Sequence, residues 1–335
     1  MTQVIRVDPD HPQPADIETA ASIIRDGGLV AFPTETVYGL GADATSQSAV
    51  LKIFEAKRRP ADNPVIVHVS GREMVDFIAS DITDKAERLV QRFWPGPLTL
   101  VLTRKPEIAP GVSAGLATVA VRMPESEVAL ALIRRSGRPI AAPSANVSGR
   151  PSPTTAAHVL ADLDGRIDLI LDGGTTDIGI ESTVLDLTVD PPSILRPGWI
   201  TTETLTSVIG AVELAASEEE LRHSPGTRHG HYRPRARLVL IERGSTQRLD
   251  ALCEEELKKG AVGFIGHTLT KIDHPSFNAI ILEESAAAYA HSIYSAIREL
   301  DERGAKVIVV EGISKSGEGA AVMDRIRRAA SRILS

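Results

Sequence analysis

Apolar positions in the first two hundred residues follow two alternating rhythms. DIETAASIIRD (16–26) sets Ile17, Ala20, Ala21 and Ile24 on one helical face, with Asp16 as the expected cap and Gly27-Gly28 as the stop. LVAFP (29–33) is then a short buried strand. SQSAVLKIFEAKR predicts a helix capped by Ser46 with Val50, Ile53 and Phe54 on its stripe, and PVIVHV predicts the next strand. Helices at 71–78 and 83–93, strands LTLVL (98–102) and TVAVRM (118–123), a helix at 125–135 and strand PIAAPSA (139–145) continue the series. PTTAAHVLADL, with Pro153 near its start, is a helix, and IDLILDGG, STVLDLT and SILRPG are three more strands. The strands are not uniformly separated by helices, so the expected fold is α/β with a twisted mixed sheet covered by helices.

After a helix at 202–210 the pattern breaks. SEEELRHSPGTRHGHYRPRAR (217–237) is too poor in apolar residues to build a core and reads as a linker. The α/β rhythm then restarts with strand LVLIE, helix 247–258, strands AVGFIG and AIILE, helix 286–302, strand AKVIVVEG and a last helix at 319–333. This predicts a smaller, Rossmann-like C-terminal domain. On its last helix Val322, Ile326 and Ile333 form an apolar stripe, while Arg325, Arg328 and Arg332 read as a solvated basic face.

Composition narrows the class. A chain of 335 residues exceeds what one core usually serves, and 42% hydrophobic with 24% charged residues is ordinary for a soluble protein. The single cysteine, Cys253, excludes an internal disulfide or a multi-cysteine zinc site and fits a reducing compartment. MTQVIRVDPDHPQPAD is no signal peptide, and no segment is apolar enough to span a bilayer, so a cytoplasmic protein is expected. Net charge −7 and 4% aromatics argue against a broad nucleic-acid surface or a base-stacking platform.

Familiar signatures are missing: no G-x-x-x-x-G-K-[ST], H-E-x-x-H or G-x-S-x-G occurs. YGLGADA contains G-x-G-x-x-A, but not between a strand and an immediately following helix, as a dinucleotide site needs. What stands out is a series of strand ends. FPTETVYGLGADA (32–44) leaves a strand through two threonines, a carboxylate and a tyrosine. FEAKRRPADNPVIVHVS (54–70) gathers Lys57, Arg58 and Arg59 before Asn63 and His68. A solvated helix C-terminus and a rigid anion site both account for those cations on their own chemistry. Lys57 and Arg59 lie outside the core pattern. Further strand ends carry Arg122, then Ser144, Asn146, Ser148 and Ser152, then Glu181, Ser182 and Thr183, and Arg196. Hydroxyls with one cation at strand after strand suit a polyanion together with a small polar ligand.

Taken in order, FPTETVYGLGADA, KRRPADNPVIVHV, FWPGPLTLVL, VAVRMP, APSANVSGRPSPT, ESTVLD and ILRPG resemble the YrdC-type threonylcarbamoyl-AMP synthase family. SPGTRHGHYRP is similar to the S-P-G-x-x-x-x-H-Y-x-P linker of its long, two-domain form, although Arg233 stands where a small residue is more usual. The resemblance implies a nucleotidyltransferase that joins L-threonine, bicarbonate (or CO2) and ATP into L-threonylcarbamoyl-AMP and releases pyrophosphate. The product serves N6-threonylcarbamoyladenosine formation at position 37 of tRNAs that read codons starting with A. It further implies a YrdC-like catalytic domain over 1–205, a linker or lid over 206–236 and a C-terminal domain over 237–335. Thr36, His68, Arg122, Ala142 and Ser182 fall at positions associated with L-threonine. Arg59, Asn63, Thr118, Ser144, Ser152, Arg196 and Tyr232 fall at positions associated with ATP, and Lys57 and Arg59 at the catalytic basic signature. Mg²⁺ is expected to arrive with ATP, no protein metal site is implied, and the expected partners are a downstream threonylcarbamoyl transferase complex and a weak tRNA contact. A carbamoyl transferase of hydrogenase maturation shares a related domain but needs cysteine-rich zinc segments, which one cysteine excludes.

Overall fold

A computed structural model describes residues 1–221, 232–243 and 248–334, and it divides into two compact units. Of the expected linker or lid over 206–236, residues 222–231 lie outside the described residues.

The first unit comprises 1–148, 152–177 and 181–229. It opens with β1 (Gln3–Arg6), α1 (Pro14–Arg25), β2 (Val30–Phe32), β3 (Gly39–Asp43), α2 (Gln47–Lys57) and β4 (Ile66–His68). Next come α3 (Arg72–Ile78), β5 (Ala79–Ser80), α4 (Asp84–Phe93), β6 (Leu98–Arg104), α5 (Pro110–Ser113), β7 (Thr118–Arg122) and α6 (Glu127–Ser136). It closes with β8 (Ile140–Ala141), α7 (Ala156–Leu163), β9 (Leu169–Asp172), β10 (Thr183–Asp186), β11 (Ser193–Arg196), α8 (Thr202–Ile209), β12 (Glu213–Leu214) and α9 (Glu218–Leu221). The strands form one sheet in the order β1-β9-β2-β3-β8-β4-β7-β6-β10-β11-β12, with β5 beside β6. Pairings are mixed as expected: β4 with β7 and β6 with β10 run parallel, while β2 with β3 and β6 with β7 run antiparallel.

Period-2 alternation distributes the core over both faces of this sheet. Val30, Phe32, Leu169 and Leu171 pack with Ile17, Ile24, Leu132 and Ile133 from α1 and α6. The intervening Ala31, Leu40, Val67 and Val121 pack with Val50 and Ile53 from α2. Among the described residues seven helices, α2, α4, α6, α7, α8, α9 and one of the second unit, begin on a Ser or Thr whose hydroxyl accepts a backbone N–H three residues on. Each such cap contributes about 1 kcal/mol.

Several expectations shift. Pro14 at the first helical turn starts α1 early, so Asp16 lies in the first turn and Gln13 occupies the cap position. The strand expected over 139–145 shrinks to Ile140–Ala141, because Pro139 and Pro143 flank it. Pro153 precedes α7, whose cap is Thr155. The glycine-rich GLGAD, just past the 29–33 strand, is itself a strand, β3. A side chain at Gly41 would meet Phe32 at 2.7 Å and Ile140 at 2.8 Å, so glycine lets this strand lie against its neighbours.

The second unit comprises 149–151, 178–180 and 230–335. Its elements are β13 (Arg237–Ile241), α10 (Leu249–Leu257), β14 (Val262–Gly266), β15 (Phe277–Ile281), α11 (Ala286–Glu302), β16 (Val307–Glu311), α12 (Gly319–Ala329) and β17 (Arg332–Leu334). All pairings in the sheet β15-β14-β16-β13-β17 are parallel, and the fully buried VIVVE of β16 is the composition such a sheet needs. The last helix ends at Ala329, and Arg332 and Ile333 belong to β17. Arg325 is not on a solvated face: it is 1% exposed, with its guanidinium 5.8 Å from the centre of the Tyr232 ring. A periodic stripe counts charges but cannot show which face meets an aromatic neighbour. Cys253 lies in this unit's core, where burial pushes its thiol up to about 12, so it is inert.

Candidate active site

Parallel pairing of β4 with β7 sets His68 level with Arg122, so the two strands end together. Both residues are buried. Arg122 Nε donates to the Gly96 carbonyl at 3.1 Å, and Nη1 donates to Thr36 Oγ1 at 2.9 Å. Thr36 is placed by a threonine turn after β2: the backbone N–H groups of Thr36 and Val37 donate to Thr34 Oγ1, which in turn donates to the Val37 carbonyl at 2.7 Å. Arg122 Nη2 meets Glu35 Oε2 at 2.6 Å, both side chains being 4% exposed. This is a charge contact rather than a directed hydrogen bond. Both Glu35 oxygens and Arg122 Nη2 lack a hydrogen-bond partner among the described residues, as does His68 Nδ1. Burial pushes the His68 imidazole down to about 3, with the Arg122 charge adding to it, so the ring is neutral near pH 7. The Phe32 ring meets it edge to face, with centres 6.1 Å apart. Ala142 lies beside the start of β4, its N–H donating to the Ile66 carbonyl at 2.8 Å.

A second cluster lies at the start of β10. Ser182 and Thr99 hydroxyls are 2.8 Å apart. Arg196 forks onto Ser182, with Nε and Nη2 on its carbonyl at 3.1 and 3.0 Å and Nη2 also on its hydroxyl at 3.1 Å. Gly198 permits this approach, since a Cβ there would lie 2.1 Å from the Thr183 nitrogen. Nearby in sequence, Ser152 Oγ donates to Glu181 Oε1 at 2.5 Å.

The basic stretch is divided by its own helix end. Arg58 takes a left-handed conformation (φ 51°) as the cap of α2 and is exposed. Lys57 is 1% exposed, contrary to the expectation that it lies outside the core. Its Nζ donates to the Asn146 carbonyl at 2.6 Å and to the Ser144 carbonyl, bracing the APSAN loop. Burial, reinforced by Arg59, pushes this ammonium well down. In that loop Ser144 Oγ donates to Asn146 Oδ1 at 2.6 Å. Arg59 Nη2 donates to the Pro64 carbonyl at 3.0 Å, next to the fully buried Asn63.

The structure thus joins Thr36 and His68 with Arg122 in one group, Ser182 and Arg196 in another and Lys57 with Ser144 in a third, while Ala142 lies beside the start of β4. Thr118 begins the strand that ends at Arg122, about 13 Å along it. Tyr232 belongs to the second unit, where its ring stacks on Tyr294 with centres 5.4 Å apart. Glu35 escaped sequence reasoning as a named residue. The available signal was a lone carboxylate between two threonines just past a buried strand.

Residues 22–198 match the family model described as "Telomere recombination", and 200–331 match "Threonylcarbamoyl-AMP synthase, C-terminal domain". The threonylcarbamoyl-AMP synthase of Pyrococcus abyssi is 47% identical over 323 residues, covering 93% of each chain. That of Bacillus subtilis is 46% identical, covering 94% of this chain and 92% of its own. The crystal structure of P. abyssi Sua5 complexed with L-threonine superposes with a TM-score of 0.94 at 43% identity, covering 99% of both chains. The chain belongs to the threonylcarbamoyl-AMP synthase family, in its form with a C-terminal domain.

Proposed function

We propose that this protein makes L-threonylcarbamoyl-AMP from L-threonine, bicarbonate (or CO2) and ATP, releasing pyrophosphate. The observation that supports this best is the buried Arg122, anchored at Nε and Nη1, whose Nη2, like the Glu35 oxygens and His68 Nδ1, lacks a hydrogen-bond partner among the described residues. Such a strand end is preorganised for a small charged ligand that brings its own partners. The nucleophile is the substrate's own carbamate, which attacks the α-phosphorus, so the protein supplies positioning and charge rather than a Ser or Cys nucleophile.

On this reading Thr36, His68, Arg122, Ala142 and Ser182 hold L-threonine. Arg59, Asn63, Thr118, Ser144, Ser152, Arg196 and Tyr232 serve the nucleotide. Lys57 spends two of its three ammonium donors on the loop that carries Ser144, so it acts mainly through that loop. Among the described residues no cluster of three or more His, Cys, Asp or Glu could hold a metal ion, and no step is routed through one. Mg²⁺ would come as the companion of ATP. We also propose 1–205 as the catalytic part, 206–236 as the linker and 237–335 as the C-terminal domain. Transfer to adenosine 37 of tRNAs reading codons that start with A, by a partner transferase in the cytoplasm, completes the reading. No helix among the described residues is long and apolar enough to cross a membrane.

The test is pyrophosphate release with ATP, Mg²⁺, bicarbonate and L-threonine. Release should stop when either threonine or bicarbonate is omitted; release that ignores both omissions contradicts the proposal.

A further inference from the structure

Glu35 is a buried carboxylate with no assigned task. It lies on the turn between Thr34 and Thr36 and is 3% exposed, with both oxygens lacking a directed hydrogen bond among the described residues. Arg122 Nη2 lies 2.6 Å from its Oε2. Arg122 has already committed Nε and Nη1 to Gly96 and Thr36, so Nη2 is the group through which it can receive a ligand's carboxylate. Glu35 therefore stands where that carboxylate must arrive.

An α-amino acid answers this geometry without burying net charge. Its carboxylate replaces Glu35 on Nη2, and its α-nitrogen, one carbon away from that carboxylate, comes within reach of the Glu35 oxygens. One imperfect ion pair becomes two, and no charge is left alone in a dry site. A ligand with a carboxylate but no amine would displace Glu35 and leave it uncompensated, which is how a site rejects an analogue lacking one polar group.

Resting on the assignment of this site to L-threonine, we propose that Glu35 binds the substrate's α-ammonium and accepts the proton lost when that amine is carboxylated. With bicarbonate as the carbon donor the balance is R–NH3⁺ + HCO3⁻ → R–NH–COO⁻ + H2O + H⁺. The N–C bond forms, a bicarbonate C–O bond breaks to release water, and the proton goes to Glu35. Binding the ammonium and receiving its proton are one task for a carboxylate at this position. The neutral His68 beside Arg122 adds no competing positive charge at the start.

Glu35→Gln keeps the shape and removes the charge. Calorimetric titration should show L-threonine binding weakened about 10- to 100-fold, the loss of a hydrogen bond to a charged group. Binding of 2,3-dihydroxybutanoate, which has hydroxyl in place of ammonium, should not weaken and should tighten, because the glutamine leaves no uncompensated charge when displaced. Glu35→Asp, which keeps the charge, should recover part of the threonine affinity and turnover. It also carries the same comparison should the Gln variant fail to fold. Equal loss for both ligands, or no loss for threonine, would make Glu35 only a counter-ion to Arg122 and overturn the proposal. A wild-type protein that binds no threonine would overturn the assignment of the site itself, a distinguishable failure.

Discussion

His68 shows how one buried residue turns into a pH dependence. The folded protein keeps its ring neutral down to about 3, whereas an unfolded chain protonates it near 6.5. Between those values the unfolded state binds more protons, so this contribution is complete above about pH 6.5 and is lost as pH falls toward 3. Between pH 6.5 and 5 the wild type should lose about 2 kcal/mol more stability than His68→Gln, measured by denaturant unfolding. Equal losses would mean that the ring reaches water in the native state. Lys57 makes a second case. Lys57→Ala removes a fully buried side chain and leaves the Ser144 and Asn146 carbonyls without its ammonium. A loss of about 3 kcal/mol is expected, with weaker ATP binding as the loop relaxes. Unchanged melting in Lys57→Ala would show that the loop holds itself. Residue types at strand ends were legible in the sequence, because threonines, arginines and a histidine interrupt apolar runs. Which cation is buried was not. Lys57 and Arg58 are adjacent, and only the left-handed turn at Arg58 sends one inward and leaves the other exposed.

Elements with strong periodicity were readable throughout: Ala286–Glu302 and Gln47–Lys57 came out within a residue of the pattern. Those that failed did so for stated reasons. The strand Gly39–Asp43 has too few side chains to show an alternation, and its two glycines look like a turn. The final strand Arg332–Leu334 continues the register of a helical stripe until the chain leaves the helix at Ala330. Close backbone approach is invisible to hydropathy, and Gly198 is the clearest instance. A methyl group there would lie 2.1 Å from the Thr183 nitrogen and 2.4 Å from the Ser182 carbonyl carbon. Backbone on both sides must move, so Gly198→Ala should cost at least about 2 kcal/mol and disturb the Arg196 fork on Ser182. Circular dichroism melts and threonine-dependent pyrophosphate release read the two effects. A variant that melts like the wild type would show that this turn has slack.

At the scale of the molecule, a mixed-sheet unit and a parallel-sheet unit each carry their own core, which the break in apolar rhythm after residue 210 announced. The order of strands was not readable, because pairing across the sheet depends on contacts far apart in sequence. That order is what makes the site. β4 and β7 must lie side by side for His68 and Arg122 to end level, and β2 must deliver the Thr34–Thr36 turn to the same place. On the function proposed above, this arrangement serves the making of a threonylcarbamoyl adenylate. Mass spectrometry after incubation with ATP, Mg²⁺, L-threonine and carbon-13 bicarbonate tests it most directly. The expected product is an adenylate that carries threonine and one heavy carbon, and that vanishes in Arg122→Ala. Pyrophosphate released with no heavy carbon in any adenylate, or product formed equally without threonine, would contradict it.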